Sequence, residues 1–326
     1  FRRVLFRSLG FKATMVNSTL SFEERRERLA AFHRGEIELL YLAPEALEGS
    51  LRNFISGCPV SLVVVDEAHC ISQWGHEFRP AYRKLRGLKQ ELGDIPVLAL
   101  TATATRKVVG DIIAQLGMRK PKGFKGSFFR PNLRITAVRK GEQTTADGRK
   151  RPRREFRKDL LALLRTRRGE SAIVYCQSRK AVEQTADFLI ANGIHARPYH
   201  AGLSDDVRAK HQEMFARDDV DVIVATVAFG MGIDKSNVRL VVHRDMPKSI
   251  EAWVQEIGRA GRDGLPSECI VYYSWADVIG YDHFLSDLDP ALRQETRNKT
   301  EGLFNLLSST RCRHQLACLY FDETMA

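Results

Sequence analysis

The sequence predicts an α/β protein with two parallel-sheet lobes followed by a helical segment. Short runs of β-branched and apolar residues recur along the chain, helical stretches separate most of them, and one polar, basic segment divides the series in two. Runs that are apolar at nearly every position are typical of strands buried on both faces of a parallel sheet. The alternation of such strands with helices indicates an α/β architecture.

The predicted strands share a β-branched composition and a length of a few residues. They are Ile37–Leu42, Leu62–Val65, Val97–Leu100, Ala172–Tyr175, Val222–Ala225, Leu240–His243 and Ile270–Tyr273. The helices between them are predicted from their ends. Ser21 and Glu24 form a capping box in front of a helix over 22–34. Ser178 begins a second helix, which ends ahead of Gly193.

The segment over 139–158 reads RKGEQTTADGRKRPRREFRK, and its basic, polar composition predicts a boundary between lobes. We therefore expect a first lobe over 1–138 and a second lobe over 159–275. Beyond these, 276–326 is expected to be helical because the strand signal ends near Ser274. The basic segment offers few apolar residues to bury, which favours disorder.

Composition limits the class of protein. A chain of 326 residues suits roughly two domains of about 150 residues each. A hydrophobic content of 44% with 28% charged residues is typical of a globular protein, and no apolar run approaches the ~18 residues of a membrane span. The cysteines lack the spacing of a disulfide framework, which favours reduced thiols and a cytoplasmic location, nucleoid-associated if the source is bacterial. The net charge of +11 suggests a polyanionic partner, although a basic surface without such a partner is the alternative.

Acidic residues follow the predicted strand Leu62–Val65 directly, as Asp66 and Glu67, with His69 just beyond. Open α/β sheets bind ligands at the carboxyl ends of their strands. In nucleotide hydrolases an aspartate at this place holds Mg²⁺, and a neighbouring carboxylate can polarise the attacking water. The alternative is an acidic surface cap, because a four-residue match is weak evidence by itself.

The residues after the acids combine amide, aromatic, imidazole and guanidinium groups, in Gln73, Trp74, His76, Phe78 and Arg79. Nucleic-acid bases stack on aromatic faces for about 1–3 kcal/mol each, whatever their sequence. The string DEAHCISQWGHEFRPAYRKL resembles the joined Walker B motif and aromatic-rich loop of the RecQ helicases, where the loop senses single-stranded DNA and couples it to hydrolysis. Without that resemblance, Trp74 and Phe78 would be interpreted as core residues.

Further strings are similar to RecQ motifs in the same order and spacing: IVYCQSRKAVEQTADFL, YHAGL, IVATVAFGMGIDK and VQEIGRAGRDG. The resemblance implies two RecA-like lobes that close on ATP and Mg²⁺, and 3′ to 5′ unwinding of duplex DNA in repair and recombination. It also implies contacts with single-stranded DNA from strand-end residues of both lobes, namely Thr101, Thr103, His200 and Thr226.

Arginine side chains are expected to complete the nucleotide site. A guanidinium group binds phosphate oxygens with two parallel hydrogen bonds, and an arginine finger supplies a rate factor of about 10³–10⁵. By resemblance, Arg262 is the finger and Arg259 its neighbour at the nucleotide, while Gln255, Asp234 and Gly232 also serve the nucleotide or couple the lobes. The acids of one lobe and these arginines would then converge on one triphosphate. The alternative is a pair of solvated surface arginines.

The string G-x-x-x-x-G-K-S/T, whose backbone N–H groups hold nucleotide phosphates in this family, does not occur in the sequence. We therefore expect the chain as it stands to hydrolyse ATP negligibly. The resemblance begins near Leu9, and the preceding FRRVLFRS does not fit the family.

The string RCRHQLACLYFDE resembles the start of the RecQ zinc-binding segment, and Cys312 matches the first ligand of its Cys₄ site. The other ligands should lie beyond Ala326. A structural zinc site needs four ligands, so weak Zn²⁺ binding is expected from this chain. Cys318 is expected to pack on an apolar helix face, and His314 is the alternative ligand.

Rival interpretations remain open. An RNA helicase of the related DEAD/DEAH groups would share many of these motifs, although the QWGHEFRP loop argues against it. A nucleic-acid-binding protein without catalysis would keep the basic character and lack the phosphate loop. A scaffold that binds no nucleic acid has little in its favour. The basic segment over 139–158 either contacts DNA or is a solvated loop. Protein partners cannot be read from the sequence.

Overall fold

The chain folds into two compact units, Phe1–Gly126 and Ser127–Ala326. A computed structural model describes residues 10–17, 20–47, 50–73, 78–141, 143–144, 150–151, 155–227, 229, 235–284 and 290–325. The division between the units lies ahead of the predicted boundary at residue 138. The reason is Leu133–Arg139, a strand that the sequence did not predict and that pairs within the sheet of the second unit.

The first unit pairs its described strands two by two, always in parallel. Strand β1 (Ala13–Val16) pairs with β2 (Leu39–Leu42), and β3 (Val63–Val65) pairs with β4 (Val97–Ala99). The helices of this unit are α1 (Phe22–His33), α2 (Ser50–Ser56), α3 (Leu88–Glu91) and α4 (Arg106–Gln115). Short 3₁₀ turns occupy Pro44–Ala46, Ala68–Ile71 and Pro80–Leu85.

Helix α1 begins as predicted. The Ser21 hydroxyl accepts a hydrogen bond from the Glu24 amide (3.2 Å), and the Glu24 carboxylate accepts one from the Ser21 amide (3.0 Å). This reciprocal pair satisfies two amides at the helix start that have no partner within the helix. The capping box is therefore confirmed.

The prediction that the strands are buried on both faces is wrong for the first unit. Val65 on β3 is buried, but Val64 on the opposite face is 51% exposed, and Leu98 on β4 is 46% exposed. Successive side chains of a strand point to opposite faces, so one face of the β3–β4 pair packs into a core and the other is uncovered in the described part of the chain. The covered face packs on helix α4 through Val108 and Ile112.

The second unit is built on a six-stranded parallel sheet in the order β5-β12-β11-β8-β10-β9. Its strands are β5 (Leu133–Arg139), β8 (Ser171–Tyr175), β9 (Ala196–Tyr199), β10 (Val222–Ala225), β11 (Val238–His243) and β12 (Ser267–Tyr273). The helices are α5 (Phe156–Thr166), α6 (Arg179–Ala191), α7 (Asp205–Ala216), α8 (Ile250–Ile257), α9 (Trp275–Phe284), α10 (Pro290–Ser308) and α11 (Arg313–Tyr320). Ser178 caps α6 as predicted, because its hydroxyl accepts the Ala181 amide.

Burial on both faces is confirmed for the central strands of this sheet, since every residue of β8 and β10 is buried. Alternate residues enter two different cores. Ile173 and Ile223 pack with Trp253 of α8, whereas Val174 and Val224 pack on the face covered by helices α5 and α6. The sheet therefore forms the middle of three layers, as the near-continuous apolar runs indicated.

The segment over 139–158 is partly ordered. Strands β6 (Gln143–Thr144) and β7 (Lys150–Arg151) pair antiparallel, and helix α5 begins at Phe156, inside the predicted linker. The other residues of this segment lie outside the described part of the chain. The prediction of disorder is therefore wrong for the described residues of this segment. For the other residues it stays a prediction.

The predicted helical character of 276–326 is confirmed by α9, α10 and α11. These helices do not stand apart, because Leu303, Leu307 and Phe321 join the core around Trp253. Among the described residues, every helix is too short or too polar to span a membrane.

A partly buried ion cluster joins residues that follow three strands of the second unit. Lys140 follows β5, and its ammonium group lies 3.0 Å from Asp245, beyond β11, and 2.9 Å from Asp277, beyond β12. Burial raises the pKa of Asp277, and the Lys140 charge opposes that rise. Lys140 therefore compensates two carboxylates that are held in a poorly solvated place.

Replacing Lys140 by Met is expected to lower the free energy of unfolding by about 3 kcal/mol, because it leaves the buried Asp277 carboxylate and the half-buried Asp245 carboxylate without their cation. The pKa of Asp277 then rises further above its ordinary value of 3.8. A raised folded pKa stabilises the protein in acid and loses that contribution as the pH rises through it, so the deficit should be largest near neutral pH and shrink on acidification. Urea denaturation at several pH values measures this, with Lys158→Met, an exposed helical lysine, as the control. Equal losses for the two variants would contradict the prediction.

Candidate active site

The acidic turn of the first unit, which we define as Asp66–His69, begins where β3 ends. The Leu100 amide donates to the Val65 carbonyl (2.8 Å), and the Ala68 amide donates to the Leu100 carbonyl (2.9 Å). These bonds join the acidic turn to the chain just beyond β4. Parallel pairing of β3 and β4 thus places Asp66 and Glu67 beside the residues that follow β4.

Glu67 adopts a left-handed backbone conformation (φ 49°, ψ 42°). For residues other than glycine this conformation is uncommon and costs about 1–2 kcal/mol. Such a conformation persists where its surroundings enforce it, and it is enriched at functional sites. The turn therefore fixes the direction of the Glu67 carboxylate, which is only partly exposed.

His69 links the acidic turn to Thr101. Its ring is buried, and Nδ1 lies 3.0 Å from the Thr101 hydroxyl and 3.4 Å from the Glu67 carboxylate. The Thr101 hydroxyl also accepts a hydrogen bond from the Thr103 amide (3.3 Å). A change in the position of Thr101 would therefore shift His69 and, through it, the Glu67 side chain. Thr103 itself is buried, and its hydroxyl makes no hydrogen bond within the described residues.

Tyr82 supports the acidic turn from the 3₁₀ turn that follows it. Its hydroxyl donates to the Asp66 carbonyl (3.2 Å), and burial raises its pKa to about 12. The hydroxyl stays protonated at neutral pH and remains a donor. The sequence did not predict this role, because a tyrosine that follows a loop is common in proteins of every fold class.

The structure describes the flanks of the aromatic-rich loop. Gln73 is exposed. Phe78 is half-buried, and the Arg83 guanidinium lies 5.0 Å from its ring centre, while the Arg79 amide donates to the Cys70 carbonyl (3.0 Å). One face of Phe78 therefore already has a cationic partner. Trp74 and His76, which the sequence also predicted as DNA contacts, lie outside the described residues.

His200 and Thr226 follow neighbouring strands of the second unit. His200 is buried; the Gly202 amide donates to its Nδ1 (3.1 Å), so its Nε2 carries the proton and donates to Glu183 (2.6 Å). Both ring nitrogens are thus engaged within the protein. Thr226 is half-buried, and its amide donates to the Tyr199 carbonyl (3.2 Å). Of these two residues, which the sequence predicted as DNA contacts, Thr226 is the more exposed.

The arginine turn, defined here as Arg259–Arg262, follows helix α8. Arg259 is 8% exposed, whereas Arg262 is exposed. Burial raises the pKa of Tyr175, and the nearby Arg259 charge opposes that rise. Gln255 is half-buried near the end of α8. Asp234 and Gly232, the other residues predicted for this function, lie outside the described part of the chain.

Side chains that the sequence did not predict surround the base of the arginine turn. The buried His243 ring stacks on Tyr175 (centroids 5.2 Å apart), and its Nε2 lies 2.8 Å from the Glu256 carboxylate. The Tyr175 hydroxyl donates to the Phe229 carbonyl (3.0 Å). The sequence does not predict the contact between His243 and Glu256. One residue ends an apolar strand and the other lies within a helix, and only the packing of the helix on the sheet brings them together.

Two family models match the chain: a DEAD/DEAH box helicase model over residues 3–112 and a helicase conserved C-terminal domain model over residues 155–264. The ATP-dependent DNA helicase RecQ of Pasteurella multocida is 42% identical over 316 residues, covering 96% of this chain and 48% of that protein. RecQ of Bacillus subtilis is 40% identical over 317 residues, covering 96% and 51%. The chain belongs to the RecQ family. It spans about half the length of these relatives.

Solved structures show the same fold at low identity. The helicase Lhr of Mycobacterium smegmatis, bound to ssDNA and AMP-PNP, gives a TM-score of 0.60 at 18% identity, covering 92% of this chain and 45% of Lhr. The helicase MrfA, bound to DNA, gives a TM-score of 0.64 at 19% identity, covering 90% and 38%. The predicted α/β fold with two RecA-like lobes is thereby confirmed.

The metals that the RecQ family implies fit this chain unequally. Asp66 and Glu67 suit Mg²⁺, which is usually held by one or two carboxylates together with substrate phosphates. Zinc needs four protein ligands, and the described residues hold no cluster of three or more acidic, histidine or cysteine side chains placed for a metal. Cys312 is exposed at the start of α11, Cys318 is buried as expected, and His314 is half-buried against Phe129. The described residues therefore do not form a zinc site.

Replacing Gly261 by Ala tests how tightly the arginine turn is packed. Gly261 has φ 54°, and an added Cβ would meet the Asn132 side chain and the Leu265 carbonyl, the latter at 2.8 Å. Gly264 has φ 82° with open space around it. Both alanine variants bear the left-handed backbone cost, but Gly261→Ala should lose about 1–3 kcal/mol more because of overpacking. Thermal or urea unfolding compares them. Equal losses would show that the turn yields to the extra atom.

Replacing Glu67 by Asn is expected to raise the free energy of unfolding by about 1 kcal/mol, because Asn tolerates the left-handed conformation better than Glu. Glu67→Gln is the matched control, since it removes the charge and keeps the backbone cost. Urea denaturation of the chain as it stands measures both variants. A gain of equal size in the Gln variant would show that charge, and not backbone conformation, sets the stability at this position.

Proposed function

We propose that the protein is an ATP-dependent DNA helicase that moves 3′ to 5′ on single-stranded DNA and unwinds duplexes during repair and recombination. The observation that carries the proposal is the acidic turn, tied through His69 to Thr101 beyond the neighbouring strand. Such a link allows an event at a DNA-facing strand end to alter the position of a carboxylate at the nucleotide. Membership of the RecQ family supplies the class of reaction.

Residues of the helicase motifs are proposed to bind and hydrolyse the nucleotide. Asp66 would hold Mg²⁺, which would neutralise charge on the phosphates, and Glu67 would accept a proton from the attacking water. Arg262 is exposed and suits a finger that stabilises charge on the transferred phosphoryl group, while the buried Arg259 orients the turn and Gln255 contacts the nucleotide. Asp234 and Gly232 are proposed for the same function by family resemblance alone.

The DNA is proposed to contact Gln73, Arg79 and Thr226, together with Trp74, His76 and Phe78 of the aromatic-rich loop. The buried positions of His200 and Thr103 favour a different role for these two residues. His200 holds Glu183 and Gly202 through both ring nitrogens, and Thr103 lies beside the Thr101 link. We propose that they position the DNA-binding residues and do not contact DNA themselves.

The chain as it stands is proposed to bind single-stranded DNA and to hydrolyse ATP negligibly. Its sequence contains no G-x-x-x-x-G-K-S/T string, so it lacks the backbone N–H groups and the lysine that would hold the β- and γ-phosphates. The net charge of +11 supports retention of polyanion binding. Weak Zn²⁺ binding is proposed for the same chain, with Cys312 serving as a ligand in a longer protein.

The full-length protein should show ATP turnover stimulated by single-stranded DNA. Glu67→Gln should lower kcat by about 10²–10⁴-fold, because it removes the general base. Glu23→Gln, an exposed position on helix α1, is the matched control and should leave kcat unchanged. Phosphate release with and without DNA measures both variants, and the chain as it stands serves as the preparation expected to show no turnover.

Strand-displacement assays on DNA and RNA duplexes decide the class of substrate. Unwinding of DNA supports the proposal, whereas unwinding of RNA alone would assign the protein to the DEAD/DEAH RNA helicases. A full-length protein that binds DNA without any ATP turnover would be a nucleic-acid-binding protein and not a helicase.

A further inference from the structure

A segment at the start of the second unit contacts the backbone of the arginine turn. We define this segment, Ser127–Leu133, as the clamp segment. The Arg130 guanidinium donates to the Ala260 carbonyl (3.1 Å) and to the Gly261 carbonyl (2.7 Å). These carbonyls lie between Arg259 and Arg262 in the chain. Hydrogen bonds from an ionised donor are stronger than neutral ones, so Arg130 fixes the backbone that carries both arginines.

Asn132 holds the same turn at a second point. Its side-chain amide donates to the Gly261 carbonyl (2.9 Å) and to the Leu265 carbonyl (3.0 Å). Its own backbone carbonyl accepts the Ser267 amide (2.9 Å), where β12 begins. Gly261 therefore receives both Arg130 and Asn132 on a single carbonyl oxygen, and a Cβ at Gly261 would meet the Asn132 side chain.

The clamp segment is in turn held by the C-terminal helix α11 and the residues after it. The Glu323 carboxylate accepts the Phe128 amide (2.8 Å) and the Ser127 hydroxyl. The Phe128 and Phe321 rings stack with their centroids 4.0 Å apart. Burial lowers the pKa of His314, and the nearby Arg130 backbone opposes that shift. The segment thus has support on the side away from the arginine turn.

Charge distinguishes this clamp from an ordinary ion pair. A carboxylate that held the arginine turn would neutralise the cations that are proposed to meet phosphate. Arg130 and Asn132 bind only carbonyl oxygens of the turn, so they fix its shape and leave its positive charge in place.

We propose that Arg130 and Asn132 are positioning residues for ATP hydrolysis: they hold the arginine turn so that Arg262 reaches the transition state. The inference rests on the proposed function, because it assigns Arg262 as the finger. Neither residue contacts the nucleotide in this proposal. A misplacement of about 1 Å at a catalytic group costs on the order of 10²-fold in rate, so loss of the clamp should act on kcat.

The test uses the full-length protein with variants Arg130→Ala, Asn132→Ala and Arg262→Ala. Arg134→Ala is the matched control, because Arg134 lies on the same strand as Asn132's neighbour Leu133 and is exposed. Arg130→Ala should lower the kcat of DNA-stimulated hydrolysis by about 10²-fold with KM for ATP and affinity for single-stranded DNA unchanged. Arg134→Ala should retain the kcat of the unaltered protein.

A double variant separates positioning from general loss of structure. If Arg130 acts through Arg262, adding Arg130→Ala to Arg262→Ala should lower kcat little further, because residues that act as one unit are not additive. Arg130→Lys should give an intermediate kcat, since Nη2 of Arg130 alone donates to both carbonyls and an ammonium group can also donate twice, but without the fixed planar geometry of the guanidinium. It also provides a readable variant if Arg130→Ala does not fold.

The outcomes are distinct. Near-normal kcat in both Arg130→Ala and Arg130→Lys, alongside a large loss in Arg262→Ala, would overturn the inference and leave the proposed function intact. Additive losses in the double variant would also overturn it, because they would mean that Arg130 acts independently of the finger. Absence of DNA-stimulated turnover in the unaltered full-length protein would instead refute the proposed function.

Discussion

Parallel strand pairing is the constraint on which the functional parts of both units depend. Parallel strands end on the same edge of a sheet, so residues that are far apart in sequence become neighbours if each follows a strand. In the first unit the pairing of β3 with β4 brings the acidic turn to Thr101. In the second unit the same geometry collects Lys140, Asp245 and Asp277 at one edge. The acidic turn and the ion cluster around Lys140 therefore both lie beyond the ends of paired strands.

The strands that the sequence predicted and those that it missed differ in their place in the sheet. The central strands β8, β10, β11 and β12 are apolar on both faces and were recognisable from composition. The strands of the six-stranded sheet that the sequence missed, β5 and β9, are its two edges. Strand β9 reads ARPY and contains a proline, which an edge strand tolerates because part of its backbone has no neighbour. Because β5 was not predicted, the predicted boundary between the lobes lies beyond the observed one.

Local sequence carries a signal for some of the candidate site residues and none for the contacts that hold them in place. Asp66 and Glu67 were identifiable from a strand followed by acids and from family resemblance, but the left-handed backbone of Glu67 has no sequence signature. The bond from Arg130 to Gly261 spans 131 residues of sequence. An arginine before a proline predicts a turn or an extended segment, and says nothing about which distant carbonyl its guanidinium will bind. Packing of complete layers alone decides such contacts.

The different burial of Arg259 and Arg262 follows from how the turn is held. Arg259 is buried, and its charge lies close enough to Tyr175 to oppose the rise in the pKa of that tyrosine. The nearest acid on α8, Glu256, is bonded to His243 instead. Nearby, Arg239 is paired with Asp263 at 2.5 Å, and its charge is neutralised. Arg130 and Asn132 instead hold the arginine turn through carbonyl oxygens, which are neutral acceptors, so these contacts fix the backbone of the turn without an acidic side chain.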